Sequence, residues 1–237
     1  MKSTSVLVVV AIVLASFAAL PPAEAAKGLD VSLQDCASIT PAQWRCLREQ
    51  EGFSFAIIEA WNGGFQLNQK LAYCVSNAWA AGFAHVDIVH YYAFLCPNCG
   101  GNNPPANAVS AIDNYLKSNN VQYGQLWFDI EQCTGCWNDD ASNFAFIKQA
   151  VASAQRLGMS VGIYSSDYEW GATVGASTRG FPGLPLWYAH YDNMPSFNDA
   201  WAYSFGGWTR PAIKQYYDRD SGACGVTNID LDWYPDN

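Results

Sequence analysis

Basic residues are scarce in this chain: 12 Lys and Arg stand against 21 Asp and Glu in 237 residues, a formal net charge of −9. With that balance and no Lys/Arg cluster, the surface repels nucleic acid and anionic membranes, so neither is expected as a partner. Only three histidines occur, His85, His90 and His190, too scattered to propose a zinc site. No G-x-S-x-G elbow, P-loop or dinucleotide fingerprint is found, which leaves serine-elbow, nucleotide and nicotinamide chemistries without support. There is no Asn-X-Ser/Thr sequon, Pro/Ser linker, low-complexity tract or fixed-period repeat. The stretch GGNNPPAN at 100–107 reads as a loop inside one domain. After residue 20 no apolar run is long enough to span a bilayer.

What is present begins with MKSTSVLVVVAIVLASFAALPPAEAA: one Lys, an apolar run from Val6 to Leu20, then small residues in which Ala23 and Ala25 fit an A-x-A cleavage pattern. Residues 1–25 are therefore expected to be a secretory signal peptide, the run being shorter than the ~20 residues of a membrane anchor. Cleavage would remove Lys2 and Glu24, leaving a single domain over 26–237 with the charge unchanged. The eight cysteines, Cys36, Cys46, Cys74, Cys96, Cys99, Cys133, Cys136 and Cys224, form an even set that reads as disulfides in an oxidising compartment. CPNC and CTGC also make a CxxC…CxxC pattern, but their separation exceeds the about 15–20 residues of the usual zinc spacing. A secreted monomer with no metal or organic cofactor is expected.

Hydrophobic residues make up 50% of the chain and charged residues 14%, enough apolar surface for one large core. Strand patterns fall at 28–32, 53–61, 85–94, 123–131, 160–165, 186–191, 213–217 and 229–233. Helical patterns lie between the first five: TPAQWRCLREQEG with Thr40 and Pro41 as N-cap and N1, LNQKLAYCVSNAWAAG stopped by Gly82, PANAVSAIDNYLKSNN, and DDASNFAFIKQAVASAQRLG stopped by Gly158. Strand-helix alternation predicts right-handed crossovers and a parallel sheet. From Phe181 onward helical periodicity fades, so the expected fold is α/β, an irregular TIM-like β/α barrel with eight strands and about five helices.

Within QLWFDIEQ, at the end of an apolar run, Asp129 and Glu131 lie two residues apart on one strand face, with Cα atoms ~6.8 Å apart. At the open end of a barrel, such a pair suits glycoside hydrolysis: one carboxyl, its pKa raised by burial and by its neighbour's charge, protonates the leaving oxygen while the other stays ionised. Asp30 in KGLDVS and Asp230 in NIDLDW come from the first and last strands, which ring closure makes neighbours. Asp232 shares Asp230's face, and the sequence does not choose between them. For each acid the competing reading is a helix cap, turn or solvated strand end.

Residues 27–233 resemble the family 25 glycoside hydrolases, the muramidase-type lysozymes. The resemblance rests on GLDVS, HYYAF, WFDIEQ, GIYSS, LWYAHYD, KQYYD and NIDLDW in order. It implies an eight-stranded barrel with an acidic groove that cuts peptidoglycan between N-acetylmuramic acid and N-acetylglucosamine, in defence or digestion. Glu131 would then be the proton donor. Asp129 would orient the substrate's acetamido group or act as nucleophile, and Asp30 and Asp230 would complete the cluster. One departure is Glu59 in AIIEAW, where many members carry Lys; it either faces the cleft and adds negative charge or is hydrogen-bonded locally. The eight cysteines also depart from the general pattern and point to a eukaryotic secreted branch. Pairing between the loops of Cys96 and Cys133, or within each CxxC, would stiffen the cleft rim.

Trp at 10, Tyr at 13 and Phe at 12 are abundant. Rings near strand ends, among them Tyr91, Trp127, Trp187, Tyr188 and Tyr217, are candidate sugar-stacking surfaces, with core packing as the alternative. A chitinase motif, D-x-x-D-x-D-x-E, would need Asp at Gly124 and Trp127 and is absent. A glycan-binding barrel that has lost hydrolysis, or one acting on a chitin-like glycan, is the remaining alternative. The clustered acids predict an acidic pH optimum.

Overall fold

Eight strands close into a barrel because inward and outward side chains alternate along every one of them. The computed structural model describes residues 25–62, 66–90, 96–99 and 104–235. In chain order the elements are β1 (Ala26–Val31), α1 (Leu33–Ser38), α2 (Pro41–Glu49), β2 (Phe55–Asn62), β3 (Gln66–Leu67), α3 (Leu71–Ala80), β4 (His85–His90), α4 (Pro105–Ser118), β5 (Leu126–Asp129), α5 (Asp140–Arg156), β6 (Val161–Ser165), α6 (Asp167–Val174), β7 (Leu186–Ala189), α7 (Ala200–Tyr203), β8 (Ile213–Ser221) and β9 (Thr227–Tyr234). The sheet runs β1-β9-β8-β7-β6-β5-β4-β2 and closes through a β1–β2 pairing, with two-residue β3 appended to β2. All eight expected strands are present.

The fully parallel expectation fails at β9. Every other barrel pairing is parallel. β9 is antiparallel to both β1 and β8. The cause is length: only residues 222–226 join β8 to β9, a hairpin turn and far less than the dozen or so residues a parallel crossover requires. The reversal carries the first half of β9 to the end of the barrel where the other strands finish, and sets Asp230 opposite Asp30.

Two apolar layers follow from the alternation. Leu29, Ile58, Ile88, Phe128, Ile163 and Ile229 point outward beneath the helices. Phe55, Ile57, Val89, Trp127, Tyr164, Trp187 and Ile213 fill the barrel interior. Helix α2 has the capping box expected from Thr40, with Gln43 answering, and buries Trp44 and Leu47 completely; each such side chain contributes about 1.5–3 kcal/mol. Gly82 and Gly158 take φ +88° and +80° just past α3 and α5, the left-handed stop that glycine allows. Seven helices occur among the described residues rather than about five. The unanticipated ones, α1, α6 and α7, are four to eight residues long, too short to establish a 3.6-residue period. None of the helices described is long and apolar enough to cross a membrane.

Disulfides join Cys36 to Cys74, between α1 and α3, and Cys46 to Cys224, between α2 and the β8–β9 turn. The remaining four cysteines pair within their own CxxC segments.

Candidate active site

On β5, Leu126, Phe128 and Ile130 belong to the outer layer while Trp127 belongs to the interior. Asp129 and Glu131 therefore point inward with Trp127, one and two steps nearer the mouth. Beneath them Trp127 and Trp187 meet edge to face at 5.9 Å. Both indole N–H groups are satisfied: Trp127 donates to Asp87 at 2.8 Å and Trp187 to Asp232 at 2.8 Å. The floor of the cavity is thus a closed aromatic layer.

Over this floor Gln215, fully buried on β8, acts as a four-way junction. Its amide nitrogen donates to Asp30 at 2.8 Å and to Asp230 at 3.2 Å. Its carbonyl oxygen accepts from the hydroxyls of Tyr164 at 2.6 Å and Tyr191 at 2.9 Å. Asp30 and Asp232 hydrogen-bond each other, and burial followed by like-charge repulsion raises both carboxyls well above their usual range. A shared proton satisfies that pair. Asp232 is fully buried and opposes Gly28 and Gln215, whereas Asp230 opposes Asp30 one step nearer the mouth. Of the two, Asp230 is the partly exposed one.

Glu131 lies where β5 leaves the barrel. Burial, then the charges of Glu169 and Asp230, push its carboxyl up to about 8, with the Tyr164 hydroxyl opposing the shift. Its Oε2 is buried with no hydrogen-bond partner among the described residues. The surrounding backbone is pinned. Trp137 Nε1 donates to the Glu131 carbonyl at 2.7 Å, the Gln132 N–H donates to Glu169 at 2.6 Å, and Ser165 Oγ donates to the Ile130 carbonyl at 2.7 Å. A carboxyl that keeps its proton at neutral pH, beside others that bear charge, is the arrangement general acid catalysis requires.

Comparison with known proteins bears on this geometry. A family model described as Lysozyme-like protein 1 matches residues 23–216. A Dictyostelium discoideum protein named "Probable GH family 25 lysozyme 2" is 37% identical over 226 residues, covering 95% of this chain and 99% of that protein. The chain belongs to the family 25 lysozymes. Counting factor 50 of Dictyostelium discoideum is 44% identical over 206 residues, covering 87% of this chain; the chain spans only 65% of that relative's length. The family 25 lysozyme of Aspergillus fumigatus shares the fold, with TM-score 0.67 at 19% identity over 90% of this chain and 95% of that one.

In this family 25 chain, Asp30, Asp129, Glu131 and Asp230 all reach the barrel interior or its mouth, and charge coupling links Asp30, Glu131 and Asp230. The aromatic candidates fare differently. Trp127 and Trp187 are 2% and 1% exposed, so they form the floor and offer no open face for stacking. Tyr188 points outward: it is completely buried in the outer layer, and its hydroxyl donates to Asp199 at 2.7 Å. It cannot share the interior with Trp187, its immediate neighbour on the same strand. Tyr217, exposed, sits at an irregularity in the β8–β9 register. Glu59 is fully buried and accepts the N–H of Leu33 at the start of α1. Tyr91 lies outside the described residues.

Sequence reasoning missed Tyr164, Gln215, Tyr191 and Glu169. The first three follow from two-residue periodicity: Tyr164 opposes Asp129 across β5–β6, Gln215 is two beyond the inward Ile213, and Tyr191 is four beyond the inward Trp187. Glu169 carried no signal beyond its helix-start spacing from Ser166, whose hydroxyl caps α6.

Outside the barrel, Lys214 is completely buried between Asp192 and Asp199, at 2.8 Å from each, with His190 2.6 Å from Asp199. The ammonium fills the position a cation would take among those groups.

Proposed function

We propose that the mature chain, freed of residues 1–25 in the secretory pathway, hydrolyses the bond between N-acetylmuramic acid and N-acetylglucosamine in bacterial peptidoglycan. The observation that carries this reading is the position of Glu131 at the mouth of an acid-lined barrel, where burial and then the charges of Glu169 and Asp230 push its carboxyl up to about 8. Glu131 donates its proton to the departing glycosidic oxygen, so the bond breaks without expelling an alkoxide. Asp129, on the same strand face, stabilises the positive charge that develops on the sugar, by holding the acetamido group or by direct attack. Asp230 faces the substrate, and Asp30, tied to Gln215 and Asp232, keeps the far wall rigid. Tyr191, which is exposed, presents its hydroxyl to the sugar's edge, while the buried Tyr164 holds Gln215 in place. The product-forming water is activated by the carboxylate that Glu131 becomes.

Family membership supports the substrate class, and the four disulfides fit secretion. The deciding experiment is digestion of purified peptidoglycan by the mature protein and by Glu131→Gln, with analysis of the new reducing ends. Muramic acid ends that disappear in the variant support the assignment. Glucosamine ends, or ends produced equally by both proteins, overturn it.

A further inference from the structure

The CPNC and CTGC segments, which the proposed hydrolysis does not use, meet beside the barrel mouth. Residues 100–132, the long gap that argued against a metal site in the sequence, contain α4 and β5 and so return the chain to the same place. Each segment folds back on itself: the Cys99 N–H reaches the Cys96 carbonyl at 3.3 Å, and the Cys136 N–H reaches the Cys133 carbonyl at 3.2 Å. In the second turn Gly135 takes φ +78°, a conformation glycine adopts without strain.

The two turns are fastened face to face. Asn98 donates its backbone N–H to the Cys136 carbonyl at 3.2 Å. Its side-chain amide donates to the Trp137 carbonyl at 3.2 Å and to Asn138 Oδ1 at 3.1 Å. As a result all four sulfurs lie within 4.8 Å of one another, and Cys99 Sγ is 3.8 Å from Cys136 Sγ. A tetrahedral zinc centre with Zn–S bonds of about 2.3 Å places its sulfurs about 3.8 Å apart. The contact between the turns therefore has the spacing of two ligands of one ion.

In the oxidised chain the sulfurs are joined as Cys96–Cys99 and Cys133–Cys136. Each bridge spans three residues, so it restrains the unfolded chain far less than a long-range bridge does and ties neither turn to the other. Cys99 and Cys133 are partly exposed, open to thiol exchange, whereas Cys36 and Cys74 are completely buried.

We propose that Cys96, Cys99, Cys133 and Cys136, once four equivalents of a thiol reductant have opened the two bridges and left as two disulfides, bind one Zn²⁺ through four thiolates. Four thiols lose four protons to form the centre. Two equivalents of a disulfide oxidant such as oxidised glutathione then take up four electrons, re-form the two bridges, and release the ion as four glutathione thiols appear. The centre clamps the segment after β4 to the segment after β5. Cys133 is two residues from Glu131, and Trp137, one beyond Cys136, holds the Glu131 carbonyl; metal loading thus bears on the placement of the proton-bearing group.

The test uses the mature chain, treated under native conditions with a mild phosphine reductant and Zn²⁺, desalted, and analysed for metal. The expected result is one zinc per chain, lost on adding oxidised glutathione. Co²⁺ in its place should give the thiolate charge-transfer and visible bands of a tetrahedral sulfur site. Cys99→Ser with Cys136→Ser should weaken binding at least 100-fold, while Cys36→Ser with Cys74→Ser should retain the metal. A reduced chain that holds no zinc, a Co²⁺ spectrum without thiolate bands, or undiminished binding in the Cys99/Cys136 variant would each overturn the proposal. Should that variant fail to fold, the Co²⁺ spectrum of the unsubstituted chain decides alone.

Discussion

Replacing Glu131 by Gln should abolish hydrolysis and at the same time stabilise the protein, by an amount that depends on pH. Folding lifts this carboxyl from about 4.5 to about 8, chiefly through burial and then through the charges of Glu169 and Asp230. An acid whose pKa rises on folding binds more protons folded than unfolded, so stability falls as pH climbs through that window. The penalty is absent well below 4.5 and complete above 8. At pH 7 about 2.5 units of it are expressed, which at ~1.4 kcal/mol per unit is about 3 kcal/mol. Glutamine carries no titrating proton and removes this term. Urea unfolding followed by tryptophan fluorescence should show Glu131→Gln more stable than the parent by up to about 3 kcal/mol at pH 7, and nearly equal to it at pH 4. Peptidoglycan hydrolysis by the variant should fall by about 10²–10⁴-fold. A variant no more stable than its parent at pH 7, or a stability difference that is the same at pH 4 and pH 7, would refute the claim that burial and charge hold this proton.

The same group sets the alkaline side of the activity profile. kcat/KM on a soluble peptidoglycan fragment should be sustained through neutral pH and decline above about 8, later than an acid cluster in the sequence alone suggests; a rate still climbing at pH 9 would contradict it. Gln215→Leu removes the donor to Asp30 and Asp230 and the acceptor for Tyr164 and Tyr191, and should lower kcat at least about 10-fold while unfolding shifts by about 1–3 kcal/mol for each buried group left unpaired. Lys214→Met strands Asp192 and Asp199 without their buried cation and should destabilise by about 3–5 kcal/mol, measured by denaturant unfolding. Replacing Cys46 and Cys224 by Ser opens a bridge of sequence separation 178, a loss of about 5 kcal/mol by loop-closure entropy, visible as a lower unfolding midpoint.

The barrel was legible in the sequence because each strand carries its own two-residue or continuous apolar signature, and because Thr40, Gly82 and Gly158 mark helix ends by local chemistry. Direction was not. Strand-helix alternation implies parallel neighbours, but the direction of the last strand depends on five residues after β8 that look like any other loop. Asp129 and Glu131 stood out because they share one strand face at the end of an apolar run; that this face is the inward one of Trp127 came from the structure. The aromatics were harder, since Trp187 and Tyr188 look equally suited to a sugar and only their parity sends one in and the other out. Glu59 has inward parity yet serves the first N–H of α1, a partnership set by how β1 and β2 close the ring. Gln215 carried no charge and no motif, though a buried amide is well suited to bridging carboxylates and hydroxyls at once.

The reversal of β9 also decides where the polypeptide enters and leaves. Ala26 is paired with Tyr234 and Lys27 with Trp233, and Ala26 and Tyr234 both pack on the interior layer of Phe55 and Trp187. Both extremities of the domain therefore emerge at the closed base, on the side away from Glu131 and Asp230. A tag, a surface tether or an additional module attached to either terminus would hang below the barrel and leave the path of an incoming polysaccharide strand clear.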